Sequence, residues 1–310
     1  MIVYIATCRD LERFFPSSAE PLFTHDDQAL VMGLRKKGFQ VKPFLWDEDS
    51  LGIIKKKDVI IIRSTWNYMD SDESIVSYEC WLNEIERRKL RALNSPALMK
   101  WNFNKSYLKS FQDIAPILVT SWLDSVPNAV EWFRERGSFV LKPQRGAAAK
   151  HVYRVRNLVE AEKLAVLCQR MDPYLLKSGW MLQPYVEGVE IYGELSLVYF
   201  QESYSHSVLK IPAKGDWRVQ DELGGSVLSV VPSQKAIEIG NAVIAALPQK
   251  ADYARVDLMR KAEDEYLLGE VELIEPELFF LERTLTGNRV NKSAIERFVS
   301  SIGCGIDLKS

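Results

Sequence analysis

The 310-residue chain has only three histidines, His25, His151 and His206, and its four cysteines, Cys8, Cys80, Cys168 and Cys304, stand far apart with no CxxC pair. This composition argues against a structural zinc site and a disulfide framework, and makes reduced thiols in a cytoplasmic protein the default reading. No Ser, Cys and His arrangement suggests a catalytic triad. Long hydrophobic runs are also missing: the apolar opening over residues 2–6 ends in charge after Cys8, too short for a signal peptide or a membrane span. Neither sign of charge dominates, with Lys+Arg 40 against Asp+Glu 42 and a formal net charge of -2. That balance leaves no basic footprint for nucleic acid and no acidic tail, so any polyanion bound here is small and met locally. Internal repeats and low-complexity tracts are absent as well.

What is present is alternation. The first hundred residues run strand, helix, strand, strand, helix, strand: "IVYIA", then "THDDQALVMGLRKKG" with Thr24 as cap, acids in its first turn and Gly38 as terminator, then "FQVKPFLW", "DVIIIR", a helix near 74–89 and "RALNS". Such an order predicts a small parallel α/β domain over residues 1–97. From about residue 98 antiparallel strand signals mix with helices, an α+β pattern, and a ligand cleft between two layers is the expectation. Parallel sheets bind ligands at the carboxyl ends of their strands, where "RSTW" follows "DVIII". Arg63, Ser64, Thr65 and Trp66 are therefore substrate candidates, Arg63 to pair a carboxylate and Trp66 to wall the pocket; the alternative is a surface cation and a core ring.

The segment "LGEVELIEPELFF" crowds Glu270, Glu272, Glu275 and Glu277 into an otherwise apolar run. If it is extended, Glu270 and Glu272 share a face with Val271 and Leu273 on the other. Two carboxylates roughly 7 Å apart along a strand repel by about 2 kcal/mol at an effective dielectric of about 20. Either the strand is a solvated edge, or something cationic offsets the charge. Cations recur at element ends: Lys105, Lys142 before the small-residue loop Gly146-Ala147-Ala148-Ala149, Lys210, Arg218 and Arg255. Singly each reads equally as an ordinary surface or strand-face residue. Jointly with Asp257, Glu270 and Glu272 they supply cations for phosphates and hard oxygens for magnesium.

In that order the chain resembles the ATP-grasp superfamily, and within it the glutathione-synthetase-like ligases. The resemblance runs from about residue 90 to 280 and is carried by "NSP" at 94–96 with Lys105 beyond it, "VLKP" and its loop, "QPYV" before "GELSLV", "GDWRVQDELGG", "YARVDL" and "EVELIEP". A narrower likeness, in "RSTW", "SHSVLK", "GDWRVQ" and "ELIEP", is to the D-cycloserine-forming O-ureido-serine cyclo-ligase family. The resemblance implies an ATP-grasp fold: the N-terminal parallel α/β domain, a central α+β subdomain acting as lid over 98–185, and a C-terminal α+β subdomain over 186–310 that carries the metal site, with a nucleotide cleft between the last two. It implies that Lys105, Lys142, the hinge Gln183, Pro184, Tyr185 and Val186, and Glu194 bind ATP. Asp257, Glu270 and Glu272 are implied ligands of two Mg²⁺ ions, with Mn²⁺ as the alternative. Arg255, Arg218 and Lys210 are implied to stabilise the transferring phosphoryl group, and Gln220 and Glu275 to contact the substrate. Two departures stand out: Glu272 replaces the family's usual asparagine, and the alanine-rich loop replaces a glycine-rich lid. The implied activity is ADP-forming ligation of a small amino-acid-like carboxylate to an amine through an acyl phosphate. Intramolecular cyclisation and a nucleotide-binding regulator without turnover are the alternatives, and a homodimer is the common state among relatives.

Overall fold

The structure, a computed structural model, describes residues 1–14, 22–146, 150–171, 179–213, 217, 224–284 and 287–303. Strands β1 (Ile2–Thr7), β2 (Gln40–Leu45), β3 (Val59–Ser64) and β4 (Arg91–Leu93) form a parallel sheet in the order β2-β1-β3-β4. Alternation along β1 gives the sheet two apolar faces. Tyr4 and Ala6 share a core with Tyr78 and Leu82 of helix α2 (Asp72–Arg87), while Val3 and Ile5 share another with Leu30 and Leu34 of α1 (His25–Lys36). The second core also takes Ile295, Phe298 and Val299 from the last helix, Lys292–Gly303. Its contact with α1 is tight: a Cβ on Gly33 would fall 2.2 Å from Ile295 Cγ2. The last described helix thus shares a core with β1 and α1.

The central sheet is antiparallel, with β5 (Ser121–Leu123), β6 (Phe139–Pro143), β7 (Tyr153–Val155) and β8 (Trp180–Pro184) in the order β5-β8-β6-β7. Leu141, Leu164 and Trp180 lie in its core. The third sheet, also antiparallel, orders β9 (Glu194–Phe200), β10 (Ser203–Ile211), β11 (Ser226–Ser229), β12 (Tyr253–Ala262) and β13 (Glu265–Glu272) as β11-β10-β9-β12-β13. One face, bearing Leu195, Leu197, Val256, Leu258 and Val271, packs with the helix Gln234–Ala245, with α3 (Pro96–Asn102) and with the 3₁₀ helix Lys105–Phe111. Leu98, Tyr107, Leu108 and Phe111 therefore pack on the third sheet, while Met99 and Phe103 join the core shared by Tyr4 and Ala6. The other face is divided along its length. At one end Val198, Phe200, Val208 and Tyr253 join the core of the first domain; at the other the strands carry charge.

The "NSP" segment locks the first domain onto this sheet. Asn94, at φ 57°, donates its amide to the carbonyls of Tyr253 at 2.8 Å and Leu273 at 2.7 Å, and its backbone N–H to Asp252 at 2.8 Å. Asparagine tolerates that left-handed backbone better than most side chains. Ser95 then caps α3 through the Leu98 N–H, with Pro96 in its first turn.

Candidate active site

The charged end of the third sheet is built by register. Arg255 sits opposite Glu272 and Asp257 opposite Glu270 on β12 and β13, while Lys210 on β10 sits opposite Glu194 on β9. Positions two apart on a strand share a face, so Glu194 and Ser196, Arg255 and Asp257, and Glu270 and Glu272 all project to the same side. Val256 and Val271, between them, are buried in the opposite core. Gly193 brings the chain into β9 at φ 78°, and a Cβ there would lie 2.5 Å from the Lys210 carbonyl, a close approach that only glycine permits.

Each carboxylate of this face holds a cation. Lys210 Nζ lies 2.6 Å from Glu194 and 3.4 Å from Asp257. Arg255 donates from Nη2 to Asp257 Oδ2 at 2.9 Å and from Nε to Oδ1 at 3.0 Å, and it also bonds Glu272. Lys105 pairs with Glu270 and donates to the Gly146 carbonyl at 3.0 Å, linking the central sheet's loop to β13. Burial opposes the charge on Asp257, but Arg255 and Lys210 outweigh it and hold the carboxyl well below its usual range. Glu270, for all its burial, is likewise lowered by Lys105 and Lys142. Glu272 goes the other way: burial lifts it to about 7 against the pull of Arg255, with Asp257 and Glu270 adding to the rise. Lys142 has no ion-pair partner among the described residues; burial lowers its pKa, Glu270 opposes that, and Lys105 adds to it. The result is a half-buried, charge-balanced surface with one lysine in reserve.

Against known proteins, residues 3–94 match the family described as D-cycloserine synthetase DcsG, N-terminal domain. The chain is 27% identical to the cycloserine biosynthesis protein DcsG of Streptomyces lavendulae over 281 residues, 82% of this chain and 87% of that one. The crystal structure of D-cycloserine synthetase DcsG superimposes with a TM-score of 0.71 at 22% identity, covering 98% of this chain and 99% of the other. The chain has the ATP-grasp fold. D-alanine–D-alanine ligase from Bacillus anthracis, solved with ATP, shares the fold at a TM-score of 0.61 and 14% identity over 97% of this chain and 96% of that one. PsnB, an ATP-grasp ligase solved with a minimal precursor, Mg and ADP, does so at 0.60 and 14% over 97% of this chain and 98% of the other. The resemblance read from the motifs, and the fold it implied, are borne out.

Within this ATP-grasp frame, Lys105, Lys142, Lys210, Glu194, Arg255, Asp257, Glu270 and Glu272 come together. Gln183 is buried and donates to Thr120 at 2.9 Å, and Pro184 ends β8 before Tyr185 and Val186, where the chain crosses to β9. Arg218 and Gln220 lie outside the described residues. The side chains of the "RSTW" segment, expected to contact the substrate, have these partners within the protein. Arg63 is 3% exposed and donates to Asp27 at 2.9 Å, Asp26 at 3.4 Å and the Pro276 carbonyl at 2.6 Å. Ser64 bonds Asp27, Thr65 lies 3.0 Å from the Tyr78 hydroxyl, and Trp66 packs edge-on to Phe14 at 5.7 Å. The acids at the start of α1 turn inward and take this arginine, which ties α1 to the segment after β13 through the Pro276 carbonyl. Ser196 was missed: it donates to Asp257, and its place two residues after Glu194 was the available signal.

The oxygens of Asp257, Glu270 and Glu272 are the hard donors that magnesium takes. Among the described residues no three His, Cys, Asp or Glu side chains converge as a ready ion site, because each of these carboxylates is turned to a lysine or arginine. The donor set fits the ion in chemistry and requires those cations to release it.

Glu275 differs from all of them. Its Oε1 accepts the Tyr68 hydroxyl at 3.0 Å, while Oε2 is buried without a hydrogen bond. Burial lifts its pKa to about 8, with Glu272 adding to the rise and Tyr68, Lys105 and Arg63 opposing it. An acid raised in the fold stabilises it below the ordinary value and loses that contribution as pH climbs through the folded value. Glu275→Gln is therefore expected to melt above wild type at pH 8 and to converge with it toward pH 4.5; thermal melts across that window check this, and a constant offset would contradict it.

Proposed function

We propose that the protein is an ATP-dependent ligase that activates a small amino-acid-like carboxylate as an acyl phosphate and joins it to an amine, with ADP and phosphate released. The observation that carries this reading is the charged end of the third sheet, where four cations and four carboxylates meet in an ATP-grasp frame. Lys105 and Lys142 would bind the nucleotide's phosphates, with the Gln183–Val186 segment and Glu194 on its adenine and ribose side. Asp257, Glu270 and Glu272 would hold Mg²⁺, which when bound neutralises charge on the transferring phosphoryl group. Arg255 and Lys210 would supply charge to the transferring phosphoryl group once nucleotide and ion displace their pairs with Asp257, Glu272 and Glu194. The phosphates of the nucleotide replace carboxylates as partners of the lysines, and the released carboxylates become free for the ion.

A second reading, intramolecular cyclisation, is favoured by the match of residues 3–94 to the DcsG N-terminal domain and by the likeness to DcsG over most of the chain. Screening D- and L-amino acids, their O-substituted derivatives and dipeptides for ADP release, with mass spectrometry of the products, separates the cases. Ligation gives a product of two substrates less one water, cyclisation a product of one substrate less a small leaving molecule or water. Nucleotide binding with no ADP across the library would reject both.

A further inference from the structure

Five carboxylates stand at or just beyond the charged end of the third sheet, and Glu194, Asp257, Glu270 and Glu272 each have a cation within ion-pair distance. Glu275 has none among the described residues. Its nearest positive groups are committed elsewhere, Arg63 to Asp26, Asp27 and the Pro276 carbonyl, and Lys105 to Glu270 and the Gly146 carbonyl. The carboxyl is nonetheless held in place: Tyr68 grips one oxygen, and Tyr68 is itself fixed by stacking on Tyr78 at 4.4 Å and by an edge contact with Phe103 at 5.5 Å. An oriented carboxylate with one orphaned oxygen and aromatic neighbours is the complement of an organic cation. It also stands beside the end of β3, where a parallel sheet presents its ligands.

We infer that Glu275 is the ammonium subsite: it binds the cationic nitrogen of the amine substrate and takes one proton from it as that nitrogen attacks. This rests on the ligase reading above and names its second substrate as a primary ammonium compound. The step balances. The ammonium gives one proton to the Glu275 carboxylate; the freed lone pair forms the C–N bond at the acyl carbon; the carbon–oxygen bond to phosphate breaks with its electron pair on the departing phosphate. That phosphate takes the second nitrogen proton, and Glu275 returns the first to solvent. Burial raises this carboxyl, and a bound ammonium would oppose that rise and favour the carboxylate.

Two measurements test this. In protein labelled with ¹³C at the glutamate carboxyls, the Glu275 resonance, assigned by its absence in Glu275→Gln, is expected to shift saturably on titration with n-propylammonium chloride and not with sodium chloride. No saturable shift in wild type overturns the subsite, whatever the activity screen finds. In the coupled reaction, hydroxylamine serves as a rival nucleophile that is uncharged at neutral pH. Glu275→Gln is expected to lower the ratio of amine product to hydroxamate about 100-fold. A parallel loss of both products overturns the proton-accepting role. If wild type forms neither ADP nor hydroxamate with any carboxylate, the ligase reading fails and the titration still decides the subsite.

Discussion

Arg63→Ala is expected to lower the stability of the protein by about 3–5 kcal/mol, the usual penalty for removing one partner of a buried ion pair. The guanidinium is almost fully enclosed and has three acceptors, Asp26, Asp27 and the Pro276 carbonyl. Alanine leaves two buried carboxylates facing each other without a cation. Asp26 already stands at about 6, raised by burial against the pull of Arg63 and pushed further by Asp27. Without Arg63 the pull that opposes burial at Asp26 is gone, and a group raised in this way stabilises below its unfolded value and loses that as pH rises. The defect should therefore be largest near neutrality and shrink toward pH 4. Urea denaturation at several pH values measures it. If stability is unchanged while substrate affinity falls, Arg63 belongs in a substrate pocket after all.

That arginine also shows where reading by sequence stops. The "RSTW" stretch follows a β-strand in a parallel sheet, and local rules make such a place a ligand site. What decides its role lies 36 and 213 positions away, in Asp27 and Pro276, and no local rule reports it. The acids of α1 were legible as a capped first turn, yet their second use as a buried counter-charge depends on how the domain docks. By contrast, the common face of Glu270 and Glu272 follows from strand alternation alone, and Val271 between them is buried as alternation requires. The partners of these glutamates were less legible. Lys105 reaches Glu270 across 165 residues, so an ion was the natural expectation where the ligand-free fold uses lysine and arginine. The ATP-grasp fold itself was readable because its motifs keep their order, whereas no motif marks residues 292–303 as a helix that returns to pack against α1.

Glu270→Gln should reduce ADP formation by about 1,000-fold, the upper range for removing one oriented electrostatic group from a phosphoryl-transfer site. Two effects with opposite signs make the result diagnostic. Loss of the carboxylate removes an implied magnesium ligand, so the apparent metal requirement should rise with the fall in turnover. It also frees Lys105 from its ion pair and leaves Lys142, whose charge Glu270 supports, beside a second lysine without a counter-charge. Those two cations then meet the nucleotide with less internal competition, so ATP affinity without metal should hold or increase. Calorimetric titration of ATP in the presence of EDTA, set beside turnover against magnesium concentration, separates the two. Turnover within about tenfold of wild type would remove Glu270 from the metal site, and an equal collapse of ATP affinity would mean that its charge serves the lysines' positions more than the ion.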